Sequence, residues 1–159
     1  MGILSWLFGS RPREQDEYAG VREDLEAVAA SGLKEAAAGR AAEADQRAAA
    51  EAAHRALTDL SRRCQAVREH FQAELRSGQV SLYDKQDQER RGRIERLEEI
   101  VLLLLPPVTE ETVRWTGGEP GGRPFGGRHD DVKVGLGLAA EFVKDLDRLA
   151  AAAPPEGSG

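Results

Sequence analysis

Few side chains in this chain are of a kind that does chemistry, and their spacing limits what they can do. There is one cysteine, Cys64, and there are three histidines, His54, His70 and His129. A thiol nucleophile needs a base beside it and a third group to orient that base. Cys64 instead falls on an apolar seam with Leu57, Leu60, Val67 and Phe71, at steps of three and four, which predicts a small buried side chain. His54 and His70 lie about 24 Å apart along one predicted helix, too far to share a metal. His129, Asp130 and Asp131 come nearest to a ligand set, directly after "GGEPGGRPFGG" at Gly117–Gly127. That stretch lacks the Gly-Lys-Ser/Thr ending of a phosphate loop and the G-x-G-x-x-G spacing after a strand, so it reads as a linker. The expectation is no catalytic residue, no metal and no cofactor; the alternative is a small helical enzyme or enzyme subunit with a metal or phosphate site near the glycine-rich loop.

The elements that would hold these residues are helices. No proline interrupts the sequence from about Glu14 to Arg76, and Ala, Glu, Arg and Gln dominate it, which predicts one long helix with a bend or fraying point near Ser31–Gly39. Glu43/Arg47, Glu51/Arg55 and Asp59/Arg63 are spaced to pair on its exposed face. "RSGQVSLYD" at Arg76–Asp84 reads as a turn with Asp84 capping a second helix, and so short a connection makes the two helices antiparallel neighbours. The second helix carries Ile94, Leu97, Val101 and Leu104 as its seam, with Asp87/Arg91 and Glu89/Arg93 pairs outside, and is expected to stop at Pro106-Pro107. Thr109 then reads as the N-cap of a short helix bearing Trp115, with Val108 and Val113 as its hydrophobic staple. Asp131 is a cap candidate for a last helix carrying Val132, Leu136, Ala139, Val143, Leu146 and Ala150, although Val132–Leu138 also alternates as a strand would.

The fold expected is therefore all-α: a long antiparallel, coiled-coil-like helical hairpin over residues 14–105, a short helix and Gly/Pro-rich loop over 106–131, a C-terminal helix over 132–152 and a disordered tail over 153–159. Residues 1–13 form an amphipathic segment and tether. In "MGILSWLFGS" the side chains of Ile3, Leu4, Leu7 and Phe8 would share a helix face bordered by Trp6, with Arg11 and Arg13 following, a composition suited to a membrane interface. The same side chains could instead pack on the hairpin near Leu102–Leu105. No basic residue precedes Ile3, which argues against a secretory signal, and Trp6 occupies the position where a myristoylation signal has Ser or Thr.

Composition narrows the function further. Aromatics make up 5%, charged residues 31% and the net charge is −6, which argues against a broad electrostatic grip on nucleic acid. "RRGRIER" at Arg90–Arg96 is the densest basic run, diluted by Glu89, Glu95, Glu98 and Glu99. A lone cysteine excludes an internal disulfide and is compatible with a reducing compartment. These features together predict a non-enzymatic helical scaffold or adaptor, cytoplasmic or membrane-associated. It would self-associate, or meet a helical protein partner, through the seam of Leu57, Leu60, Cys64, Val67, Phe71, Ile94, Leu97, Val101 and Leu104. It would dock through Ile3, Leu4, Trp6, Leu7 and Phe8 on a membrane surface or partner protein.

Overall fold

A computed structural model describes residues 14–117 and 120–152 of the chain. The elements are α1 (Glu14–Glu17), α2 (Val21–Ala30), α3 (Leu33–Ala37), α4 (Glu43–Ser77), α5 (Lys85–Arg114), a 3-10 turn at Pro124–Gly127 and α6 (His129–Ala152). Helix, the 3-10 turn included, accounts for 82% of the described residues, and no strand occurs among them. The alternating stretch Val132–Leu138 is therefore helical: Val132 and Ala139 are buried on the inner face of α6 while Val134 is exposed.

The helical hairpin is present as α4 and α5, and Asp84 caps α5 by accepting bonds from the backbone N–H groups of Gln86 and Asp87. Its first arm is shorter than the sequence pattern suggests. Residues 14–42 do not continue α4 but break at Gly20 (φ 85°) and Gly32 (φ 86°), left-handed conformations that interrupt a helix and that glycine adopts without a Cβ penalty. The chain then turns back near Gly39, so that α2 and α3 run antiparallel to α4, with Asp24 opposite Arg63 and Gly32 opposite Ala49. Alanines at positions 49, 50, 53 and 56 are buried where α4 meets these short helices. Their small side chains are what lets the folded-back segment lie close.

The second arm is longer than expected. α5 passes through Pro106 and Pro107 and ends only at Arg114, so the predicted stop at Leu105, the Thr109 cap and the Val108/Val113 staple are not what forms. The two prolines remove the N–H groups that would bond the carbonyls of Leu102 and Leu103. Tertiary packing offsets this loss, because Leu104, Pro107, Val108 and Glu111 continue one buried stripe at steps of three, one and three. Gly135 of α6 sits so close to this stretch that an added Cβ would come 2.6 Å from Leu104 Cδ2. Val113 points away from the stripe and is 63% exposed. Likewise α6 starts at His129, which puts Asp131 in its first turn and not at the cap.

The result is an up-down-up-down bundle in which α4 packs on α5, α5 on α6, and α2 and α3 close the ring between α6 and α4. One apolar core runs through it, from Phe71 and Val80 beside the hairpin turn to Val108 and Phe125 at the opposite end.

Candidate functional site

The docking residues of the sequence reading, Ile3, Leu4, Trp6, Leu7 and Phe8, lie outside the described residues. What the structure defines is the point where that segment joins the bundle. A four-residue helix has no stability of its own, yet α1 is fixed by charge at both of its ends. Glu14 accepts two bonds from Arg93 Nη1, each 2.9 Å, and Glu17 accepts from Arg90 Nε at 2.9 Å and from its Nη2. Arg90 reaches in the other direction to Glu74 of α4, at 2.9 and 3.1 Å, and its guanidinium lies over the Phe71 ring at 5.0 Å. His70 Nε2 stands 2.5 Å from Glu74 Oε1. Beside this cluster Tyr18 is buried edge-on against Phe142 of α6, 5.5 Å between centroids.

The chemistry of this cluster is that of a structural ion network. Burial pushes the Glu17 carboxyl above its ordinary range, opposed by its bonds to Arg90. Among the described residues Glu17, His70 and Glu74 are the one group of metal-ligand type whose ligand atoms converge, within 4.8 Å. The Arg90 guanidinium already bonds both carboxylates, so the place of a cation is filled by the chain itself. Arg90 was legible in principle: it continues the Ile94–Leu97 seam one step toward the N-terminus, at a position where a buried charge must find partners.

The predicted seam is spent inside one chain. Leu57, Leu60, Cys64, Val67, Phe71, Ile94, Leu97 and Leu104 are buried and Val101 is half-buried, so a second copy could use them only if the bundle opened. Burial raises the Cys64 thiol to about 11, with Glu98 nearby acting in the same sense, which leaves it protonated and unreactive near neutral pH. Beside Cys64 the outer surface between α4 and α5 forms an open groove of about 240 Å³, lined by Ser61, Cys64, Arg68, Glu98, Val101 and Leu102. Leu102 is 71% exposed on its rim.

The glycine-rich loop is not an open cradle. Phe125 (φ 55°) inserts its ring into the end of the bundle, and its backbone N–H is bonded by the carboxylate of Glu111 at 3.3 Å. Glu111 is fully buried and also accepts from Gln46 Nε2 at 3.0 Å and Arg114 Nη1 at 3.1 Å. A Cβ on Gly126 would run into the Glu110 carboxylate, so a negative charge already stands against the loop backbone and would repel a phosphate there. His129 stacks its edge near Phe125 at 6.2 Å, and its ligand atoms do not converge with those of Asp130 and Asp131.

The basic run is likewise consumed: Arg90 and Arg93 hold α1, Arg91 pairs with Glu95 at 3.0 Å and Arg96 faces Asp145 at 3.7 Å. Arg63 and Arg93 therefore reach other helices, Arg63 to Asp24 and Arg93 to Glu14, in place of the expected pairs with Asp59 and Glu89, while Asp87 accepts from the Ser81 N–H and Arg91 bonds Glu95. Nor does Arg47 pair with Glu43: it bonds Glu51 at 3.1 Å. No helix among the described residues is long and apolar enough to cross a membrane. No protein-family model, curated protein or solved structure matches the chain.

Proposed function

We propose that the protein is a non-enzymatic helical adaptor whose bundle presents the apolar segment Ile3–Phe8 to a membrane surface. The observation that carries this reading is the fixation of α1. Arg90, buried, and Arg93, half-buried, hold the two ends of this four-residue helix and so fix where the chain enters the bundle at Glu14. The segment itself has the Trp, Phe and Leu content of an interfacial anchor and is followed by Arg11 and Arg13, which suit an anionic surface. With the seam spent within the chain, each copy contributes one short segment, so binding is weak and reversible. A hydrophobic groove in a partner protein would suit the same side chains.

Vesicle flotation tests this. The full chain should float with vesicles rich in anionic lipid, less so at high salt, and a chain starting at Arg11 should remain in the soluble fraction while melting as a folded helical protein. Equal behaviour of the two chains would remove the segment from the account.

A further inference from the structure

We propose that the outer side of α5 pairs antiparallel with the same side of a second copy of this chain, in the register that sets Glu89 against Arg96 and Arg91 against Glu98 across the interface.

The side of α5 turned away from the bundle has a period of its own. Lys85, Gln88, Gly92, Glu95, Glu99 and Leu102 follow at steps of three and four, and all are exposed except the half-buried Gly92. Glycine weakens the interior of a helix, and nothing within the chain requires it here, since an added Cβ would meet nothing within 4 Å. A second helix laid along this side would approach most closely at Gly92 and would cover Leu102, which is 71% exposed. The charges on its two borders choose the occupant and its direction. One border carries Glu89 and Arg96, the other Arg91 and Glu98. When two copies of one helix pair antiparallel, each border meets its own counterpart. With the two-fold axis passing midway between Gly92 and Glu95, Glu89 then faces Arg96 and Arg91 faces Glu98, each twice. A parallel pairing would bring Arg91 against Arg96 instead. All four side chains have bonding capacity to spare. Glu89 has no ion pair among the described residues, Arg91 bonds Glu95 through Nε alone, and the pairs Arg96–Asp145 and Glu98–Arg68, both at 3.7 Å, are beyond hydrogen-bond distance.

The size of the paired strip sets its strength. Residues 85–102 span about 26 Å along one helix about 10 Å wide, well short of the about 800 Å² that each partner of a stable complex buries. The pairing is therefore transient, and because its ion pairs are exposed it weakens with salt. It also fixes how two copies face a surface. Arg93, which holds Glu14, lies level with the two-fold axis, so the α1 helices of the two copies sit level with each other. Under the docking role proposed above, two short segments then act on one surface, and each strengthens the binding of the other. The pairing itself does not depend on that role.

Light scattering of the full chain without vesicles tests the pairing apart from any docking. At low salt the average mass should climb with concentration toward that of two copies, and it should fall back at high salt. Glu89→Arg and Arg96→Glu each make two of the four cross pairs repulsive at exposed positions. Each variant alone should associate about tenfold more weakly or less still, while circular dichroism shows the same helical fold. Mixed in equal amounts, the two variants should recover the association of the unaltered chain, because their substitutions are complementary across the interface. A mass of one copy at every concentration would overturn the proposal. Association that neither variant weakens would assign it to another surface and equally overturn it. Weakening in both variants that mixing does not repair would refute the antiparallel register.

Discussion

Alanine at Gly135 should destabilise the bundle, whereas alanine two residues later at Gly137 should stabilise it. Both glycines are inside α6, where glycine is about 0.8–1.0 kcal/mol worse than alanine. At Gly137 an added Cβ meets nothing within 4 Å, so the gain is about 0.5–1 kcal/mol. At Gly135 it comes 2.6 Å from Leu104 Cδ2 and 3.2 Å from Leu103 Cβ. Leu104 is fully buried and cannot swing into solvent, and the Cβ of Leu103 moves only with its backbone. Overpacking of this kind costs about 1–3 kcal/mol, leaving a net loss of about 1 kcal/mol after the helix propensity is credited. The two variants should thus differ by about 1–3 kcal/mol, or roughly 3–10 °C in Tm for a chain of this size. Thermal and urea unfolding followed by circular dichroism reads this directly. Equal stabilisation by both changes would mean that α6 does not press on α5 just before the prolines, and would remove the packing that carries α5 through Pro106-Pro107.

Two further outcomes follow from the buried polar groups. With its thiol raised to about 11, Cys64 should be about 0.1% thiolate at pH 8, so an aromatic disulfide reagent should label it at least a hundredfold more slowly in the folded protein than in urea. Arg90→Met should leave the half-buried Glu17 without the cation that bonds it, remove one of the partners of Glu74, and destabilise the protein by about 3 kcal/mol at pH 7. Burial already holds the Glu17 carboxyl above its ordinary range, and a carboxyl raised in the folded state favours folding below its unfolded pKa and loses that contribution as pH rises through the folded one. The deficit of Arg90→Met should therefore shrink on acidification from pH 7 toward about 4.5, measured as the difference in urea midpoint; a constant deficit would contradict the burial of those carboxylates.

Much of the architecture is legible from spacing alone. Leu57, Leu60, Cys64, Val67 and Phe71 on one arm and Ile94, Leu97 and Leu104 on the other mark the buried faces of the hairpin, and Asp84 marks the cap. What local rules miss is set by tertiary packing. A proline pair normally ends a helix, but the stripe Leu104, Pro107, Val108 and Glu111 keeps its period through it, and the contact with Gly135 holds it together. Gly20 and Gly32 look like weak points in a long helix; that they become breaks depends on the alanine face of α4 receiving the folded-back chain. The ion network is hidden for a related reason. Arg90 and Glu111 flank the apolar part of the buried stripe of α5, where a pattern search for apolar residues stops. Their partners, Glu17, Glu74, Gln46 and the Phe125 N–H, come from other segments of the chain.

The proposed docking role puts Trp6 and its neighbours in a lipid interface while the bundle stays outside it. Fluorescence quenching by brominated lipid separates the two tryptophans, since Trp115 is buried at the end of α5. On anionic vesicles containing brominated lipid, Trp115→Phe should retain the quenching of the full chain and Trp6→Phe should abolish it. Absence of quenching in the full chain at saturating vesicle concentration, or quenching that survives Trp6→Phe, would contradict the account.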